Sequence, residues 1–258
     1  MSFSNTNISE QLPEPAISKH QFQFLEDKTI SKFVYVVYGN KGDGKTTASI
    51  IIFPGTISVL SFDRKTTVIK ENYFDNDTRV RVYDAIKYLD EDPGNYVKSA
   101  DITYDYILFL IDNISKSKPD YIMIDGLEIL SKIAEMKMRS MNGLGYKQGT
   151  SNPNVWKDRQ LLLRKIHSIC FNACKKGVIY TTYTDKDEIV EEGSMIVKRD
   201  IPKWADVVLW QTDVVIRVRN QVSKAGREFI ATVESSKIKD LETGLTLNIT
   251  KLKKLDGR

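Results

Sequence analysis

The residues best suited to chemistry stand together early in the chain: Gly39, Asn40, Lys41, Gly42, Asp43, Gly44, Lys45 and Thr46, with Thr47 behind them. Two glycines five apart, then lysine, then a hydroxyl residue is the spacing of a phosphate loop. Glycines let the backbone wrap an anion and turn its amides inward, and a helix beginning just behind adds its positive end to the same point. Lys45 would supply a mobile charge for the β and γ phosphates of ATP. The Thr46 hydroxyl is suited to Mg²⁺, which keeps several of its waters. Asp43 reads as an unpaired carboxylate facing water.

A loop of this kind must be held between a strand and a helix. Residues 33–38 are β-branched and aromatic and predict a buried strand, and residues 46–52 can open a helix that Pro54 and Gly55 stop. Residues 56–62 predict a second strand ending at Asp63. Residues 79–83 alternate charged with apolar, as a strand with one wet face does. After a solvated loop at 90–95, residues 99–116 predict an amphipathic helix with Tyr104, Leu108, Ile111 and Ile114 on one face. Residues 121–126 are apolar on both faces, which predicts a central parallel strand delivering Asp125 to its C-terminal edge, where ligands bind in open parallel sheets. Such an aspartate, about 80 residues after a phosphate loop, fits a Walker B strand holding Mg²⁺ directly or through water.

Beyond it, a helix is predicted from 127 to about 138, then a loop over 139–153 carrying three glycines, a length typical of lids and binding segments. A helix over 156–176 turns Leu162, Ile166, Ile169 and Cys170 inward and closes at Gly177. Residues 178–183 form another buried strand ending in hydroxyl groups, and 185–202 are polar with no buried face. Residues 205–210, 214–218, 228–235 and 245–250 read as successive short strands. Strand–helix alternation followed by a run of strands predicts an α/β fold, a mostly parallel central sheet flanked by helices with an antiparallel C-terminal edge.

Composition bounds the rest. With 258 residues, 41% of them hydrophobic, an ordinary core is within reach. No apolar run approaches the ~20 residues of a spanning helix, and the polar first ten residues lack a secretory pattern. The expectation is a cytoplasmic protein with no membrane partner. Cys170 and Cys174 have no second pair to complete a zinc site and are expected as buried free thiols. A net charge of +4 permits a polyanionic partner without demanding one. Residues 1–30 carry Asn, Ser, Gln and two prolines without a period and read as a mobile tail, leaving 31–258 as the folded domain. Within the tail, 21–25 reads as a frayed strand or as an apolar segment docking on this domain or a neighbouring subunit.

With these parts in this order, residues 32–250 resemble the RecA-like phosphate-loop ATPases, in particular the single-domain recombination and single-strand-annealing ATPases of phages and other viruses. The resemblance rests on the loop at 39–47, the strand ending at Asp63, the Asp125-Gly126-Leu127-Glu128 strand end, the helix starting near Trp156, residues 205–209, and the late lysines. It implies ATP and Mg²⁺ as cofactors, ATP hydrolysis, and a homo-oligomeric ring or filament acting on single- or double-stranded DNA. For a virus-encoded protein the compartment would be the host cytoplasm. The loops after the Walker B strand and after the next strand would touch DNA. That gives Arg139, Tyr146, Lys147, Lys186, Lys198, Arg199 and Lys203 as cations for phosphates and one aromatic for base stacking. Lys237 and Lys239 match two lysines that reach a neighbouring subunit's γ-phosphate, with Arg217, Arg219 and Arg227 as rivals. Thr182 matches a γ-phosphate-sensing position.

One departure has chemical consequences. RecA-like enzymes usually carry a catalytic glutamate two residues beyond the aspartate ending the second strand, and here that position is Lys65. A lysine cannot orient an attacking water as a carboxylate does. Asp63 or Glu128 must then act as base, or hydrolysis is slow and the nucleotide acts as a switch. Partition-type switches carry a lysine just after the first glycine of the loop, where Asn40 stands. Small-molecule kinases carry arginine-rich lids, and the loop here has only Arg139.

Overall fold

The computed structural model describes residues 32–75, 77–191, 195–203, 206–223 and 226–251. The expected tail at 1–30, including the 21–25 segment, lies outside them. Of the described helices, none is long and apolar enough to cross a membrane.

The elements follow as β1 (Phe33–Gly39), α1 (Lys45–Ile52), β2 (Ile57–Ser61), α2 (Lys65–Phe74), β3 (Val80–Asp84), α3 (Tyr96–Ser117), β4 (Tyr121–Asp125), α4 (Leu127–Met141), α5 (Pro153–Ala173), β5 (Gly177–Glu191), β6 (Met195–Pro202), α6 (Asp206–Gln211), β7 (Val214–Ser223), β8 (Gly226–Ser236) and β9 (Thr246–Asn248). The sheet runs β3-β2-β4-β5-β1-β7-β8-β9, with β6 paired to β5. Every pair from β3 across to β7 is parallel, and β7–β8, β8–β9 and β5–β6 are antiparallel. The expected class is the one observed: an α/β fold with a mostly parallel sheet flanked by helices and an antiparallel C-terminal edge.

Both faces of the parallel strands are covered, which is why β1 and β4 read as unbroken apolar runs. Val34 and Val36 of β1 face a core built with α3, α4 and α5, while Tyr35 and Val37 face Ala48 and Ile50 of α1. In α3 the fully buried stripe is Tyr104, Ile107, Ile111 and Ile114, and Leu108 packs partly buried against the same core. Both cysteines are free and buried, as expected.

Four expectations change. Residues 65–74, unassigned from the sequence, form α2, and residues 206–211, expected as strand, form α6. The long loop shrinks to 142–152, because α4 continues through Met141 and α5 starts at Pro153. Asn152 caps α5, accepting the Asn154 N–H at 3.0 Å. Residues 185–202 are a β-hairpin rather than a loop: β5 runs on past the end of β1 and pairs with β6 from Thr184↔Pro202 to Glu191↔Met195.

Candidate functional site

The parallel register brings several strand ends to one edge. Asp125 lies beside Ser61 of β2 and Thr181 of β5, and Tyr38 and Gly39 lie beside Thr182 and Tyr183. The glycine-rich loop after β1 crosses this edge, and its glycines are favoured by space or by backbone angle. A Cβ on Gly39 would stand 2.3 Å from the Val218 carbonyl oxygen, and Gly42 and Gly44 have φ of +88° and +80°. Gly44 caps α1 without a side-chain bond, so the first-turn amides of α1 are left facing the loop.

Asp43 does not face water. It is 6% exposed, and its Oδ2 accepts the Asn40 N–H at 2.7 Å while its Oδ1 accepts from Asn220 Nδ2 at 3.1 Å. The carboxylate ties the two ends of the loop together and pins it to β7. Asn40 and Lys41 are exposed at the loop's rim, and Lys41 and Thr47 line the cleft.

Lys45 donates to the Gly39 and Asn40 carbonyls at 3.1 and 3.0 Å, with Nζ 4.2 Å from the Tyr183 ring centroid. Burial lowers its pKa, and the charges of Glu128, Asp125, Asp43 and Asp63 oppose that shift. The lysine is therefore held over the loop by two backbone carbonyls and an aromatic ring.

Thr46 Oγ1 donates toward both oxygens of Asp125 at 3.0 Å, across 79 residues of sequence. Asp125 is 4% exposed and also receives the hydroxyls of Thr66 at 2.5 Å and Thr181 at 2.6 Å. Ser61 in turn donates to Thr66 at 3.0 Å. Burial raises the Asp125 pKa against these hydroxyl donors. Thr66, Thr181 and Ser61 were not anticipated; hydroxyl residues recurring at strand ends and just after Asp63 were the available signal.

Asp63 and Glu128 both line the cleft. Asp63 Oδ1 accepts the Lys65 N–H at 3.0 Å, just ahead of α2. Glu128, in the first turn of α4, accepts the Tyr183 N–H at 2.5 Å and the Thr182 hydroxyl at 2.7 Å, both on Oε1. Thr182 stands equally near the Lys203 carbonyl, so its single proton chooses between two acceptors. The cleft among these groups measures about 330 Å³.

The residues expected to touch nucleic acid divide. Arg139, with its side chain 11% exposed, pairs with Glu135 at 3.2 Å and donates to the Gln148 carbonyl at 2.7 Å, bracing the 142–152 loop. Tyr146 packs edge-on against Tyr96 at 5.5 Å. Both are engaged within the domain. Lys186 pairs with Asp200 across the β5–β6 hairpin. Lys147, Lys198, Arg199 and Lys203 are exposed.

Lys237 and Lys239 follow β8 at the sheet edge opposite the loop, because Ser236 pairs with Val214 and Val214 with Tyr35. Lys237 Nζ lies 3.5 Å from Asp213. Neither reaches its own chain's cleft. Arg217 pairs with Asp200 and with Glu234 at 3.6 Å, which commits it to joining the hairpin to the sheet.

The donor set suits a nucleoside triphosphate with Mg²⁺. The loop takes positive φ at Gly42 and Gly44, the helix amides carry no side-chain cap, and a hydroxyl and a carboxylate meet beside the lysine. Among the described residues no group of three or more His, Cys, Asp or Glu side chains is placed to hold a metal ion by itself.

No protein-family model and no curated protein sequence matches this chain. Among solved structures it is similar to a KaiC-like protein from the hyperthermophilic archaeon Pyrococcus horikoshii OT3, at 12% identity over 84% of each chain with a TM-score of 0.46.

Proposed function

We propose that the protein binds ATP with Mg²⁺ and hydrolyses it, and that it does so as an oligomer working on DNA, in the manner of single-domain phage recombination ATPases. The observation that carries the nucleotide reading is the meeting of Thr46 and Asp125 at 3.0 Å beneath the start of α1, beside Lys45. The amides at the start of α1 and loop residues Gly42–Thr47 would cradle the phosphates, with Thr46 and Asp125 holding the metal. When bound, Mg²⁺ would neutralise charge on the phosphate oxygens. Lys45 stabilises the same charge from the protein side. Glu128 is the better candidate for orienting the attacking water: both its hydrogen bonds fall on Oε1, which leaves Oε2 to accept.

The DNA reading is supported by the exposed cations Lys198 and Arg199 on the β5–β6 hairpin, Lys203 just beyond it, and Lys147 on the 142–152 loop. The hairpin extends β5 beyond the strand ends that carry the cleft, and the 142–152 loop joins α4 to α5. The oligomer reading rests on the absence of a glutamate at Lys65, which leaves room for a neighbour's cation, with Lys237 and Lys239 the candidates. A slow switch is the second reading, favoured by the engagement of Glu128 with Thr182 and Tyr183. Steady-state ATP turnover, measured with and without single-stranded DNA over a range of protein concentrations, separates them. Stimulation by DNA and a rise in specific activity with concentration are expected. Turnover insensitive to both would leave the switch.

A further inference from the structure

Beside the nucleotide cleft lies a second cavity of about 270 Å³, lined by Glu128, Ser131, Lys132 and Glu135 of α4, by Arg159 of α5, and by Lys203 after β6. Positions 128, 131, 132 and 135 share one helix face, so the cavity is the groove between that face and α5. Three cations meet two carboxylates here, and both carboxylates are already engaged. Glu135 lies 3.2 Å from both Lys132 and Arg139, and Glu128 accepts from Thr182 and Tyr183.

Arg159 donates one guanidinium N–H to Ser131 at 2.8 Å, yet its Nε is buried and has no acceptor. Among the described residues no carboxylate pairs with it. A buried N–H without a partner is costly, and a guanidinium fork with unused donors beside two lysines matches a phosphate or carboxylate group.

We infer that this cavity binds a backbone phosphate of a nucleic-acid strand. The inference rests on the nucleic-acid reading above and names the place where the strand is gripped. The polymer is favoured over a free anion by position: Lys132 on the cavity wall lies 6.0 Å from the ring of Tyr146 in the 142–152 loop, and Lys203 directly follows the β5–β6 hairpin that carries the exposed Lys198 and Arg199. Glu128 is the one lining residue common to both cavities. A phosphate held there adds negative charge behind Glu128, on the side away from the nucleotide, and so ties strand binding to the carboxylate that faces the cleft.

The test is fluorescence anisotropy of labelled oligo(dT) over a salt series, on wild type, Arg159→Gln and Lys132→Gln, with a fluorescent ATP analogue titrated into each. Arg159→Gln is expected to weaken oligo(dT) binding about tenfold and to make the slope of log K against log salt shallower by roughly 0.7, with ATP affinity held. Arg159→Lys should restore the slope but only part of the affinity. If wild type binds oligo(dT) and both glutamine variants match it, the cavity is not the grip although the nucleic-acid reading survives. If wild type binds no oligonucleotide, that reading falls and this one with it. Inorganic phosphate supplies the separate arm: Arg159-dependent thermal stabilisation by phosphate without oligonucleotide binding would assign the cavity to a free anion and overturn the polymer.

Discussion

The Thr66 hydroxyl donates to Asp125 at 2.5 Å, so a helix the sequence left unassigned holds the carboxylate at the centre of the candidate site. Thr181 holds the other oxygen at 2.6 Å. Thr66→Val keeps the shape and removes the donor. A loss of about 1–3 kcal/mol in urea unfolding is expected, and the acid limb of the Mg²⁺-dependent rate should move to higher pH. A stability loss with an unmoved pH profile would make Thr66 packing alone.

Burial raises the Asp125 pKa above its ordinary 3.8, so the folded state holds that proton more tightly than the unfolded one. The stability linked to it is full below the unfolded pKa and is lost as pH rises through the folded value. At neutral pH the ligand-free fold therefore carries the cost of an ionised buried carboxylate. Asp125→Asn should melt higher than wild type at neutral pH, converge with it below the carboxylate range, and still lose Mg²⁺-dependent turnover. Melting curves across pH decide this, and a variant less stable at neutral pH would contradict it.

Asp43 joins Asn40 to Asn220, residues 180 positions apart in the chain. Asp43→Ala strands both donors and should cost about 1–3 kcal/mol. Nucleotide affinity should fall with it because the loop loses its tether to β7. Asn220→Ala should reproduce part of the effect, and a double-mutant cycle that closes additively would show that the two do not act through one bond.

Glu128→Gln should lower kcat by about 10²-fold or more with little change in ATP affinity, as loss of a general base does. Asp63 is turned onto the Lys65 N–H, so Asp63→Asn should cost less. A larger kcat loss in the Asp63 variant would exchange the two roles.

Lys45→Ala should lower turnover at least ~10²-fold, the scale for removing a donor to developing charge, while leaving the protein folded. Lys237 and Lys239 stand at the opposite sheet edge, so their action on phosphate requires a neighbour's cleft. Mixing Lys45→Ala subunits with Lys237→Ala/Lys239→Ala subunits should then recover part of the activity. A lysine-pair variant fully active by itself would return both residues to the solvated surface.

The glycine-rich loop, the apolar strand ending at Asp125 and the long helices α3, α4 and α5 were legible in the sequence because each depends on residues close together. Glycine spacing, an unbroken apolar run and a three-to-four-residue stripe are local signals. The β5–β6 hairpin was not legible: its sequence reads as polar and glycine-bearing, and it is held by cross-strand backbone bonds and the Lys186–Asp200 pair. The apolar run in α6 suited a strand, but the Thr212 hydroxyl bonds back to the Val208 carbonyl at 2.6 Å, closing a helical turn.

Side-chain roles escaped for a different reason. Asp43 reads as solvated until Asn220 arrives from 177 residues away, and Arg139 and Tyr146 read as free until the 142–152 loop folds onto one and Tyr96 packs against the other. Residue types and their spacing determined that this chain could cradle phosphates beside an acidic strand end. Which carboxylates are buried, which hydroxyls hold them and which cations remain at the surface were decided by tertiary structure. Desolvation and hydrogen-bond partners come from segments that meet only when the sheet forms.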